Sequence, residues 1–445
     1  MRKKWYKFLG SLMAVTIACS SVPLTVTAKE AEFDENIIVS TSVTGGKLRD
    51  LVSGHVGDAK AKVVEEYDSG MALVNVKGKG KLESVLSELQ SAPAIEFAQK
   101  DYVVTCEEET RFMEPKDSFF VYQWGLHNFG QLIGDYGVKG EDVNVLPAWN
   151  ITQGSEDVLV GVLDSGIDIT HEDLQNSIFV NRKEIPGNGV DDDHNGYIDD
   201  ITGWDFLHND NTVYDDPNED FHGTYVAGII AADKNETGIS GVAPNVKIMP
   251  LKFISTTDGS TSNAIKAIEY ASKMGVDIMN CSWGGTEYNK ALKKAMKKSK
   301  MLFVCSSGNE AACTDETPYY PTCFNINNII SVGAMDNQGT WARFGNYGED
   351  VDVVAPGVNV IGTAPGNGYL FGSGTSFAAP YVTGVAALVK SVKPDSTYKV
   401  MKKAIVQNVV VEEQFKDKVN TSGRVDAYHT IQYVLDKYKI KASTR

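Results

Sequence analysis

The chain has 445 residues, 42% of them hydrophobic and 22% charged, which is enough to bury a large core in two or three folding units and excludes a disordered protein. Its formal net charge of -16 and pI near 5.0 argue against a nucleic-acid binder, because phosphate recognition needs clustered Lys and Arg.

At the amino terminus, Arg2, Lys3, Lys4 and Lys7 precede an apolar stretch over 8–19 and the small-residue stop Val26-Thr27-Ala28. That layout is a secretory signal, and the apolar run is too short to span a bilayer. Residues 1–28 are therefore expected to be removed, with the mature protein outside the cell and no stable membrane insertion. Residues 29–107 follow in the order strand, helix, strand, strand, helix, strand. The strands are expected at 36–43, 62–67, 71–76 and 94–104, and the helices at 46–54 and 81–91. This order is the split pattern of a small α+β, ferredoxin-like domain, and nothing in it offers a catalytic constellation. A charged stretch from Glu107 to Asp117 then reads as an exposed, cleavable linker.

From 108 to 445 the pattern changes. Runs rich in β-branched residues at 158–163, 247–253, 276–280, 301–305 and 329–334 alternate with helical spacing at 224–233, 260–274 and 289–300. The expected fold is α/β, a mainly parallel sheet with helices on both faces. In such sheets ligands sit outside the carboxyl ends of the strands. Asp164, Ser282 and Asn309 each fall at or just after an apolar run, so one edge of the sheet would gather all three. Of the five cysteines beyond the leader, Cys281 and Cys305 read as buried thiols. Cys313 and Cys323 bracket a loop with Pro318 and Pro321, where an exported protein can carry a small disulfide.

Four residues are candidates for chemistry, and each has an ordinary structural explanation. Asp164 ends a strand before Ser165-Gly166 and could orient an imidazole or merely cap a turn. His222 opens an apolar, small-residue helix within Phe221-His222-Gly223-Thr224. Ser376 stands at a helix start after Gly372-Ser373-Gly374-Thr375, where its own N–H can bind a developing oxyanion, although an N-cap serine is common there. Asn309 follows Gly308 and could donate a second hydrogen bond to that oxyanion.

Taken together, the segments Val162-Leu163-Asp164-Ser165-Gly166, His222-Gly223-Thr224-Tyr225-Val226-Ala227-Gly228 and Gly374-Thr375-Ser376-Phe377-Ala378-Ala379-Pro380 resemble the three signatures of the subtilases, the subtilisin-like serine peptidases, in the order Asp, His, Ser. The resemblance covers roughly 122–434 and implies a serine endopeptidase with Ser376 as nucleophile, His222 as base, Asp164 orienting the base and Asn309 in the oxyanion hole. It also implies that Ser282, Trp283 and Gly284 line the wall that pairs with substrate in extended form. By the same resemblance the 29–107 unit is an inhibitory, folding-assisting prodomain cut away near 104–117. Protein or peptide substrates and this prodomain are the expected partners, the mature enzyme being a monomer that does not bind nucleic acid. Tyr225 and Phe221 depart from the residues common at those positions in the family.

Between the Asp and His motifs, Asp191, Asp193, Asn195, Tyr197 and Asp199 place oxygens at alternate positions around Gly196, like the first part of an EF-hand loop. Thr202 stands where the bidentate Glu would be, so a helix-loop-helix calcium hand is excluded. A structural calcium is expected in this loop, and no organic cofactor. Asp215, Asp216, Glu219 and Asp220 run up to His222 and either favour basic substrate side chains or form a solvated turn.

Overall fold

The structure, a computed structural model, describes residues 36–54, 60–67, 69–77, 81–101, 114–255 and 259–441. The signal segment, the end of the 94–104 strand and most of the 107–117 linker lie outside the described residues. The chain divides into two compact units, Met1–Thr110 and Arg111–Arg445.

The first unit comprises β1 (Asn36–Thr41), α1 (Gly46–Gly54), β2 (Lys60–Glu66), β3 (Met71–Lys77), α2 (Leu82–Ser91) and β4 (Ile95–Lys100). Its four strands lie antiparallel in the order β2-β3-β1-β4. Residues alternate across a strand, so Ile37 and Val39 of β1 and Ala72, Val74 and Val76 of β3 share one face. That face packs on Leu48, Val52, Val85 and Leu89 of the two helices.

The second unit opens with a short hairpin, β5 (Leu132–Ile133) and β6 (Asp135–Tyr136), and α3 (Val145–Trp149). There follow β7 (Leu159–Asp164), β8 (Trp204–Asp205), α4 (Phe221–Ala231), β9 (Lys247–Lys252), α5 (Thr261–Met274), β10 (Ile278–Cys281), α6 (Lys290–Lys298), β11 (Leu302–Ser306) and β12 (Ile329–Met335). The remainder is β13 (Val353–Pro356), a hairpin of β14 (Val360–Ala364) and β15 (Gly368–Gly372), α7 (Thr375–Val392), α8 (Tyr398–Gln407), β16 (Val410–Val411), β17 (Gly423–Arg424) and α9 (Ala427–Tyr438).

Nine strands make the main sheet, in the order β16-β17-β13-β12-β11-β10-β7-β9-β8, with every neighbouring pair parallel except β16 and β17. Val160 and Val162 of β7 look toward α4, α7 and α9, while Leu159 and Leu163 look toward α5 and α6, so the sheet is covered on both faces. From β7 the chain crosses to β8 and β9 on one side and returns to β10 on the other. The order therefore reverses beside the carboxyl end of β7, where parting loops open a crevice. Asp164 is the last residue of that strand.

The helix expected over 224–233 begins three residues earlier, at Phe221, which puts His222 in its first turn. The four described cysteines are free thiols, so the 313–323 disulfide is not formed: Cys313 Sγ faces Asp315 and Cys323 Sγ accepts from the Tyr319 amide. Among the described residues no helix is long and apolar enough to cross a membrane.

Candidate active site

Asp164 is buried, and its Oδ1 accepts hydrogen bonds from the Ser165 amide and from His222 Nδ1, both at 2.8 Å. Glycines make this approach possible. A Cβ on Gly223 would stand 2.2 Å from the Gly166 carbonyl oxygen, so only glycine lets the first turn of α4 lie against the loop that follows Asp164. Burial alone would push the His222 imidazole down, but the charge and hydrogen bond of Asp164 outweigh it and hold the imidazole above its usual range. With Nδ1 engaged, the other ring nitrogen is left for a reacting partner. Phe377, next to Ser376, packs its ring 5.6 Å from the His222 ring. Tyr225 in turn lies buried beneath Phe377, ring to ring at 4.2 Å, with its hydroxyl on the Val360 carbonyl, so this departure from the family pattern supports the site from below.

Ser376 stands in the first turn of α7, where backbone N–H groups have no partner within the helix. Pro380 lies four residues on, inside the same helix, and its missing N–H frees the Ser376 carbonyl. Ser282 Oγ donates to that carbonyl at 2.7 Å, and Ser376 Oγ donates back to the Ser282 carbonyl at 3.1 Å. Asn280 Nδ2 donates to Ser282 Oγ and Thr383 Oγ1 to Asn280 Oδ1, at 2.9 and 2.8 Å, tying β10 to α7 through a buried polar chain.

Asn309 is exposed after β11, and its Oδ1 accepts from the Thr375 amide (2.9 Å) and hydroxyl (3.0 Å). Those bonds turn Nδ2 toward the cleft. The position a Cβ would take on Gly374 lies 3.7 Å from Ser376 N and 3.8 Å from Asn309 Nδ2, so two N–H donors converge on one space. A base fixed by a buried carboxylate, a hydroxyl at a helix start and two convergent donors is what acyl transfer requires.

Comparison with known proteins agrees with this geometry. The profile of the subtilase family matches residues 155–428. The chain belongs to the subtilase family. A thermophilic serine proteinase of Bacillus sp. strain AK1 is 32% identical over 386 residues, covering 84% of this chain and 82% of that protein. An intracellular serine protease of Paenibacillus polymyxa is 38% identical over 259 residues, 57% of this chain and 72% of the relative. Among solved structures, a protease of Pseudoalteromonas arctica superimposes with a TM-score of 0.57 at 27% identity, over 72% of this chain and 100% of that one. The chain is a serine-type endopeptidase by these relationships.

Of the wall residues expected in this subtilase, Ser282 is buried against Ser376, Trp283 is half-buried with its ring 4.8 Å from that of Phe253, and Gly284 is exposed. Of the acidic run before His222, Asp215 and Asp216 are exposed and only Asp220 turns inward. Asp220 is fully buried, and Lys252 Nζ lies 2.9 Å from Asp220, 2.5 Å from Asp215 and 3.7 Å from Asp205. Lys252 thus neutralises Asp220 from within and pairs with Asp215, and His222 owes its shift to Asp164. Nothing local in the sequence marked Lys252, whose partners lie 32 to 47 residues away.

In the 181–200 loop one carboxylate oxygen each from Glu184, Asp193 and Asp200 comes within 4.8 Å of the others, with Glu184 and Asp200 buried. Only Asp193 belongs to the expected set. Asp191 accepts from the Asn195 and Gly196 amides, Asn195 Oδ1 from the Tyr197 amide, and Asp199 from the Asn188 and Gly189 amides. Tyr197 packs its ring against Trp204 and Tyr270. The groups acting on Asp200 are the Tyr270 phenol, the side-chain amides of Asn195 and Asn181, and the Asp193 carboxylate, with burial the largest influence raising its proton affinity. Three carboxylate oxygens gathered this closely fit a hard, oxygen-seeking ion.

Proposed function

We propose that the protein is a secreted endopeptidase that cleaves proteins through an Asp164-His222-Ser376 triad and is made as a self-processed precursor. The observation that carries the reading is the 2.8 Å bond between His222 and buried Asp164 at the strand where the sheet order reverses. In the reaction Ser376 Oγ exchanges the Ser282 carbonyl for His222 Nε2, gives it the proton and bonds to the peptide carbon. The carbonyl π pair moves onto oxygen, where Ser376 N–H and Asn309 Nδ2 receive it. Collapse breaks the C–N bond, and the imidazolium hands its proton to the leaving amine. Water then repeats the sequence on the acyl-enzyme, restoring Ser376. The substrate lies extended along 282–284, which favours unfolded segments and loops.

Calcium is assigned to the 181–200 loop, with Glu184, Asp193 and Asp200 as side-chain ligands and Asp191, Asn195 and Asp199 shaping the turn. Bound there, it would supply charge neutralisation and rigidity to the segment between β7 and α4. The 29–107 unit is read as an inhibitory prodomain. In support, the match with the thermophilic proteinase covers 84% of the chain, more than 111–445 alone amounts to. Export rests on the 1–28 signal layout. The test is expression of the full chain and of Ser376→Ala. The wild type is expected to appear in the medium shortened to an amino terminus near 104–117 and to digest casein. Ser376→Ala should accumulate as precursor without activity. An intact Lys29 end on fully active protein would refute self-processing, and digestion by Ser376→Ala would refute the triad.

A further inference from the structure

One helix of the second unit carries charge opposite in sign to that of the chain as a whole. Against a net charge of -16, residues 290–300 hold Lys290, Lys293, Lys294, Lys297, Lys298 and Lys300 and no acid. All but the last lie in α6, which Asn289 caps by accepting from the Ala291 and Leu292 amides, both at 3.0 Å. Successive helical residues turn by about 100°, so the five lysines of α6 fall within an arc of about 140°. Leu292 and Met296 lie opposite that arc, buried in the core. Lys293 is half-buried and the other lysines are exposed.

Folding does not account for this face. Among the described residues none of the six lysines pairs with a carboxylate, and the nearest acid in the chain, Glu287, precedes the cap by two residues. Like charges three or four positions apart on a helix repel, as Lys290 and Lys294, Lys293 and Lys297, and Lys294 and Lys298 do here. The helix macrodipole favours cations in the last turn, where Lys297 and Lys298 stand, but opposes them in the first, where Lys290 and Lys293 stand. From Lys290 to Lys298 the row is about 12 Å long on a convex helix. Several of its ammoniums can meet a flat anionic surface together, whereas a small anion would meet one or two. At the edge of the row the Tyr288 ring is 53% exposed and lies 5.6 Å from Lys293 Nζ. Such a ring, apolar with a polar tip, is of the type enriched where membrane meets water.

We propose that the lysine face of α6 docks the protein on an anionic phospholipid surface, through charge and without insertion. The inference is independent of the catalytic assignment. Leu292 and Met296 are committed to the core, so contact stays at the headgroups. Each lysine near such a surface adds about 5-fold to affinity. The net negative charge of the chain does not prevent this, because charges more than about 8 Å from the bilayer are screened at physiological salt and those of α6 come first.

The test is co-sedimentation with vesicles of phosphatidylcholine, alone or mixed with phosphatidylglycerol. It uses protein collected from the medium or, where none appears, the chain from Lys29, which keeps every described residue. Wild type is expected to bind only the vesicles that contain phosphatidylglycerol and to be released by about 0.5 M salt. Combining Lys290→Gln, Lys293→Gln and Lys294→Gln should weaken that binding by about 100-fold. The same variant should hold or raise the melting temperature, because it relieves repulsion, where a purely structural role would lower it. Arg at the three positions should restore binding. Lys399→Gln, Lys403→Gln and Lys416→Gln together change the net charge equally at exposed positions outside α6 and should leave binding intact. Equal binding by wild type and the α6 variant overturns the proposal, as does an equal loss in the second set or binding to phosphatidylcholine alone. Capture of soluble polyphosphate with no binding to either vesicle would assign the face to a dissolved polymer and overturn it too.

Discussion

Two groups of carboxylates lie between β7 and α4 and its neighbour β9, and they are balanced in opposite ways. Asp205, Asp215 and Asp220 surround an ammonium that the chain supplies, Lys252, itself fully buried. Glu184, Asp193 and Asp200 converge as closely, yet the groups that act on Asp200 are amides, a phenol and another carboxylate. The first group is complete without help. The second gathers its oxygens where a cation from outside could meet them. Alike in sequence as acidic runs, they differ because one faces a strand end that carries a lysine and the other does not.

Removing the internal cation should have the largest effect on stability. Lys252→Met takes the ammonium from buried Asp220 and from Asp215, Asp205 keeping its bond to His208, and is expected to cost about 3–5 kcal/mol, the usual penalty for breaking a buried pair, read by urea unfolding of the inactive Ser376→Ala background. Because Asp220 stands immediately before α4 and its carboxylate receives the Asp215 and Asp216 amides, the loss should extend to the seat of His222. A cost below about 1 kcal/mol would mean that the cluster is solvated after all.

Calcium removal comes next. Saturation at 100 times Kd is worth about 2.7 kcal/mol, so chelation should lower the melting temperature, and Asp200→Asn or Glu184→Gln should abolish the calcium-dependent part alone. Lys252→Met should keep its calcium response. If it lost that response while Asp200→Asn retained it, the roles of the two clusters would be reversed.

The smallest effect concerns a carboxylate balanced by a titratable group. Asp164 holds His222 above its ordinary pKa of about 6.5, so this pair stabilises the fold fully below that pH and the contribution fades as pH rises through the shifted value. Activity runs the other way, since the base must be neutral: kcat/KM should fall as pH drops through the raised pKa. Asp164→Asn should move that acid limb downward while reducing the rate. An acid limb below about pH 6 in the wild type would contradict the Asp164 contact.

The residues proposed for catalysis stood out in the sequence because each sits in a short segment whose neighbours also matter. Gly166 and Gly223 permit the close approach of Asp164 and His222, and Thr375 holds Asn309 beside Ser376. Alternating apolar runs made the parallel sheet equally readable. β13 and the β14–β15 hairpin went unforeseen, for β13 is only four residues ending in Pro356 and the hairpin carries Gly362, Gly368 and Gly372. Lys252 and Glu184 were missed for a different reason. Each acts on residues brought close only by the fold, and Lys252 meets Asp205 across 47 positions of chain. Charge density in the run before His222 left a substrate-facing surface and a solvated turn equally open, whereas the fold buries Asp220 against Lys252 and pairs exposed Asp215 with the same ammonium.

The most direct measurement of the central claim is the site of covalent labelling by a fluorophosphonate in matured protein, read by intact mass and peptide mapping. One adduct, located on Ser376 and lost in His222→Ala as well as in Ser376→Ala, is the predicted result. An adduct on another residue, or labelling that survives the loss of His222 at the wild-type rate, would contradict it.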